Sequence, residues 1–83
     1  MSAGRSIAEV MAGQMALYLG PHTARVAVKT FSQKALGRGP ETLTRGDVPA
    51  VLQALRPMLR TLVGRLTSEA IVEQINRDLG NHG

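Results

Sequence analysis

Between Val48 and Leu66, apolar residues return every three or four positions: Val48, Val51, Leu52, Leu55, Leu59, Leu62, Val63 and Leu66. That spacing places them along one side of a helix, whereas a strand would bring every second residue to a common face. A chain carrying such a stripe must bury it against other elements. Three further segments have the same period. Ile7, Val10, Met11, Met15 and Tyr18 share one face of a helix running to Leu19. Ala24, Ala27, Val28, Phe31, Ala35 and Leu36 do so in a segment starting at Pro21, and Ala70, Ile71, Val72, Ile75 and Leu79 in one from Glu69 to Leu79. No segment alternates convincingly with period two, and no internal repeat is evident. The pattern predicts an all-α fold, a compact bundle of about four helices.

The breaks between segments are chemically marked. Ser6 with Glu9 three positions on has the form of a capping box. Leu19, Gly20 and Pro21 form a tight joint: Gly20 ends the first helix and Pro21 opens the second, where its missing N–H costs nothing. Gly37 is the expected stop of the second helix. Residues 37–46 are a Gly- and Pro-containing linker in which Leu43 alone is apolar and should pin the loop to the core. Thr44 and Asp47 repeat the capping pattern in acidic form. Pro57 interrupts the third segment and would kink or break its helix near Arg56. The apolar spacing passes through it without a phase slip, which favours a kink. Gly64 stands where that helix could end or make a close contact. Thr67 or Ser68 is the expected cap of the fourth helix, and Gly80 its stop.

The chain has 83 residues, one domain by size, spanning 1–83 with residues 1–5 and 81–83 frayed. A core this small contributes a net stability of only a few kcal/mol, so additional burial against a partner would help it. The absence of cysteine excludes disulfides and thiolate metal sites. No apolar run is long enough to span a bilayer, and Met1-Ser-Ala-Gly-Arg lacks a signal-peptide core, which points to the cytoplasm. His22 and His82 have no partner at metal-ligand spacing. Gly37-Arg38-Gly39-Pro40 lacks the Gly-Lys-Ser/Thr ending of a phosphate loop. No nucleophile–base set stands out, so the reading is a non-enzyme with no cofactor and no metal. Tyr18 and Phe31 are the only aromatic residues, too few for recognition by base stacking.

Charge is unevenly placed. Residues 25–65 carry Arg25, Lys29, Lys34, Arg38, Arg45, Arg56, Arg60 and Arg65 against Glu41 and Asp47, while Glu69, Glu73 and Asp78 face only Arg77 beyond them. Arg25 and Lys29 are four apart on the second helix, and Arg56 and Arg60 four apart on the third. If those helices pack side by side, the two pairs would merge into a patch for phosphate or an acidic helix. A solvated surface accounts for such a charge pattern as well. The stripe of Leu52, Leu55, Met58, Leu59, Leu62 and Val63 is wide for so small a domain. It forms either the internal core or a surface for a partner helix or a second copy.

Tyr18-Leu19-Gly20-Pro21 followed by Ala24, Arg25 and Val28 resembles a stretch of small helical domains at the C-terminus of bacterial signalling proteins. Those domains sit behind kinase or cyclase modules. The likeness covers about a dozen residues; Thr23 stands as an insertion against it, and Leu43 to Gly64 has no clear counterpart. The resemblance implies an accessory module that docks or oligomerises signalling proteins; it transfers no catalytic residue and makes Tyr18, Gly20 and Pro21 the structural joint and its anchor. The expected function is therefore a non-catalytic protein-interaction or oligomerisation module, with an acidic or apolar helical partner. The alternatives are non-specific nucleic-acid binding through the basic residues 25–65, and a structural subunit of a larger assembly. No membrane partner is expected.

Overall fold

The computed structural model describes residues 6–80, and the ends expected to fray lie outside them. Four helices run through this region: α1 (Ile7–Leu19), α2 (Pro21–Leu36), α3 (Val48–Val63) and α4 (Arg65–Asp78). No strand occurs among the described residues. Two 3-10 turns, Pro40–Thr42 and Arg45–Asp47, make up most of the α2–α3 connection. Each helix packs on the next, and α4 returns to α1, so the four close into a ring. The radius of gyration, 11.6 Å, matches the roughly 12 Å expected of a compact chain this long.

Local chemistry explains the element ends. Ser6 Oγ accepts from the Glu9 N–H at 3.1 Å, and Glu9 Oε1 accepts from the Ser6 N–H at 3.0 Å. These bonds satisfy two donors that the start of a helix leaves open. Gly37 closes α2 in the left-handed region, φ 70°. In the connection, Leu43 is buried in the core, as its lone apolar character in the linker predicts. Thr44 donates to Asp47 Oδ2 from its N–H at 3.0 Å and its hydroxyl at 3.1 Å.

The two helix corners are built alike. Gly20 (φ 87°, ψ 154°) is both the last cap of α1 and the first cap of α2, and Gly64 (φ 86°, ψ 165°) does the same for α3 and α4. Each glycine N–H donates four residues back, to Ala16 O or Arg60 O, and each glycine carbonyl accepts from four residues on, from Ala24 N or Ser68 N. Burial repeats about the two corners. Met11 and Met15 before Gly20 correspond to Leu55 and Leu59 before Gly64, and Ala24, Ala27 and Val28 after it correspond to Ser68, Ile71 and Val72. The fold is two copies of a helix–glycine–helix unit packed on each other, a repeat hidden in the sequence because the paired side chains differ.

Several expectations change. The third helix stops at Val63, not Leu66, because the positive φ of Gly64 ends it. Leu66 therefore belongs to α4 and is 80% exposed. Helix α4 begins at Arg65, and neither Thr67 nor Ser68 is its cap; Gly64 is, and Ser68 is fully buried. Tyr18 is not an anchor of the joint: it is 52% exposed. The chain turns two residues later, so the packed face of α1 ends at Met15 with half-buried Leu19 beyond it. Ala35 and Ala70 are exposed as well. Of the two outcomes expected at Pro57 the break does not occur, in keeping with the unslipped apolar spacing: α3 runs on to Val63. The residue deprived of its helical donor by Pro57 is Gln53, which is exposed and can be served by water. Thr61 Oγ1 donates to the Pro57 carbonyl at 3.0 Å.

Two buried hydroxyls, on Ser32 and Ser68, have no hydrogen-bond partner. An unsatisfied buried polar group costs about 1–3 kcal/mol, and Ala is also the better helix former. Ser32→Ala and Ser68→Ala are each expected to raise stability by about 0.5–2 kcal/mol, read as a higher urea midpoint. A loss of stability on either change would mean that its hydroxyl is bonded in solution.

Candidate docking groove

The expected basic patch does not form as one unit. Arg56 and Arg60 turn toward α4. Arg56 Nη1 donates to Glu69 Oε2 at 2.7 Å and to Oε1 at 2.9 Å, and Arg60 Nη2 lies 3.7 Å from Glu69 Oε2. Arg25 and Lys29 instead line a groove between α1 and α2, with a volume of about 690 Å³. Ala8, Ala12, Gly13 and Ala16 supply the α1 side, with Glu9 at one end. Pro21 and Val28 accompany the two cations on α2, and Pro40 closes the groove from the connecting loop.

The spacing of these residues explains the shape. Ala8, Ala12 and Ala16 are four apart and form one row of α1; Glu9 and Gly13 begin the adjacent row. Side chains this small leave a trough beside α2. On α2, Arg25 and Lys29 are also four apart, so both guanidinium and ammonium stand over the same edge.

The other cations are largely accounted for within the chain. Arg38 Nη2 meets Asp47 Oδ1 at 3.0 Å, Arg77 Nη2 meets Glu73 Oε2 at 3.2 Å, and Lys34 Nζ lies 5.6 Å from the centre of the Phe31 ring. Arg25 and Lys29 have no carboxylate within ion-pair distance among the described residues. Arg65 has none either, but it stands at the start of α4 and not in the groove. Glu9, the one acid bordering the groove, is held by the Ser6 N–H.

The apolar stripe of α3 divides. Leu52, Leu55 and Leu59 are core, Met58 and Val63 are half-buried against it, and Leu62 is 53% exposed. The stripe is thus mainly the internal packing face, and its width in sequence comes from Met58, Leu62 and Val63 at its margins, which are half-buried or exposed. Of the joint residues, Gly20 and Pro21 sit at the corner, with Pro21 in the first turn of α2. His22 is exposed there, and His82 lies outside the described residues. No group of three or more His, Cys, Asp or Glu capable of holding a metal occurs among the described residues. No described helix is long and apolar enough to cross a membrane.

The ion pairs predict a response to acid. Hydrogen bonds from Arg56, with the nearby charges of Arg56 and Arg60, hold the Glu69 carboxyl below its ordinary range. The Thr44 N–H, then the Thr44 hydroxyl and Arg38, do the same for Asp47. A carboxyl with a lowered folded pKa contributes stability above its unfolded pKa and loses that contribution as pH falls through the folded value. The urea midpoint should therefore fall as pH drops below about 5 and keep falling through the lowered folded values, and less so in the Asp47→Asn, Glu69→Gln double variant. An equal drop in both proteins would assign acid sensitivity to other groups.

In comparisons with known proteins, the chain matches no family model, no curated protein and no solved structure.

Proposed function

We propose that this chain is a non-catalytic helical module that docks a protein partner in the cytoplasm, as an accessory to bacterial signalling or regulation. The observation that supports it is the unequal pairing of the cations. Arg38, Arg56, Arg60 and Arg77 meet carboxylates of their own chain, whereas Arg25 and Lys29 meet none among the described residues and stand beside a groove with an apolar floor. Cations left over in this way, next to apolar surface, suit an acidic partner. The signalling context comes from the Tyr18–Pro21 resemblance alone.

The second reading, non-specific nucleic-acid binding, needs a broad cationic face. Three of its arginines, Arg38, Arg56 and Arg60, share their charge with Asp47 and Glu69, which narrows that face. A structural subunit would bind its neighbours at fixed stoichiometry without regard to salt. The test is a tagged pull-down from native lysate after nuclease treatment, at two salt concentrations. Wild type, Arg25→Glu/Lys29→Glu and Arg56→Glu/Arg60→Glu are compared. The expected result is a discrete protein that the first variant loses and the second retains. Recovery of nucleic acid alone, lost at high salt, would overturn the docking reading.

A further inference from the structure

We propose that the α1–α2 groove holds one amphipathic helix of a partner protein, acidic along the edge that meets Arg25 and Lys29. This rests on the docking reading above and names the form of its partner. Helix α1 carries the argument. Apart from Glu9, Gly13 and Gln14, every residue from Ile7 to Leu19 is apolar. A helix apolar on all sides normally lies inside a bundle. Here α2, α4 and the Pro40–Thr42 turn pack on it, yet only Met11 and Met15 are fully buried. The row of Ala8, Ala12 and Ala16 is half-buried at the groove. The adjacent row runs from Gly13 to Leu17, which is 74% exposed. The half-covered alanine row, with exposed Leu17 next to it, thus lies on the side of α1 that borders Arg25 and Lys29, two cations with no carboxylate partner among the described residues.

Shape and charge together select the occupant. Alanine and glycine at the floor allow another helix to approach closely, at the roughly 8–10 Å between axes that packed helices adopt. A carboxylate row on that helix would complete the ion pairs that Arg25 and Lys29 lack. A phosphate backbone would find two cations but an apolar floor that cannot bond its oxygens. A flat lipid surface cannot enter a concave groove. A second copy of this chain lacks an available acidic helix, because Glu69 and Glu73 are paired with arginines and Asp78 accepts from Gln14 and Gln74.

The test selects ligands for the full chain from a displayed library of helix-forming peptides of about 15 residues, the length at which isolated helices become viable. Winners are then measured by fluorescence anisotropy. Expected winners carry Asp or Glu three or four apart beside a row of small or apolar residues, and gain helix signal on binding. Leu17→Glu and Arg25→Glu/Lys29→Glu should each weaken them by at least about tenfold. Ala12→Leu, which fills the floor, should do the same. Leu17 is exposed, so its variant keeps the test valid even if Ala12→Leu fails to fold. Winners that are basic or extended, or that bind Leu17→Glu as tightly as wild type, would overturn the proposal. So would self-association through the groove, seen as a mass increase by sedimentation that Leu17→Glu abolishes. The two readings fail separately. A pull-down partner that depends on Arg25 and Lys29 but presents no acidic helix removes this inference alone. A partner indifferent to both residues removes the docking groove itself.

Discussion

Leu55→Asp or Leu59→Asp is expected to leave the chain unfolded at room temperature. Both leucines are 0% exposed at the centre of α3, the helix that packs on both α2 and α4. Removing a buried leucine side chain costs about 2–5 kcal/mol in transfer and cavity energy. The carboxylate then adds a buried charge with no partner, at several kcal/mol more. A domain of this size holds at most the lower end of the roughly 5–15 kcal/mol typical of native proteins. The helical circular dichroism signal should collapse and the cooperative urea transition should vanish. Leu62→Asp makes the same chemical change at a site that is 53% exposed, and it should keep the wild-type signal. A native spectrum and native mass for Leu55→Asp would mean that the core has been assigned to the wrong face of α3.

The second large effect lies in the backbone. Gly20→Ala and Gly64→Ala are each expected to lower stability by about 1–3 kcal/mol, with the double variant near the sum. At both positions φ is close to +87° with ψ near the extended range, a region that essentially only glycine occupies. An added Cβ would meet nothing within 4 Å at either site, so the cost is conformational and not a clash. Gly46→Ala is the control. Its φ is ordinary, and its Cβ would lie 3.8 Å from Thr44 Oγ1, a normal contact. Chemical denaturation read by circular dichroism gives the three values on one scale. If the corner variants matched Gly46→Ala, the single-residue joint would not be the geometry that the chain requires.

Helix positions were legible wherever the signal was local. Ser6 with Glu9, Pro21 after Gly20, and Gly37 after Leu36 mark ends that the structure places at those residues. The start of α4 departs from its local signals for a related reason. Thr67 and Ser68 have the chemistry of caps, yet the chain re-enters a helix directly after Gly64, and Ser68 turns inward beneath it. Cap-forming residues offer a local bond, but a glycine corner removes the need for one. Tyr18 and Leu66 are exposed despite their spacing, because periodicity gives the face of a helix but not where the neighbouring helices stop. The groove shows the same division. Arg25 and Lys29 could be paired from their spacing alone. Nothing local showed that Arg56 and Arg60 would spend their charge on Glu69, or that the alanine row of α1 would be only half-buried at a groove beside α2.

The sequence by itself determined the all-helical class, the span of α1 and α2, and the identity of most core residues, because period, caps and glycine stops act within a few residues along the chain. Only the tertiary structure decided that two glycine corners build the same unit twice, that Leu62 and Leu66 face water, and that two cations out of the basic set remain unpaired at a groove. Those outcomes depend on which helices meet. Residues far apart in the chain set each other's burial and charge there, and no local pattern encodes that pairing.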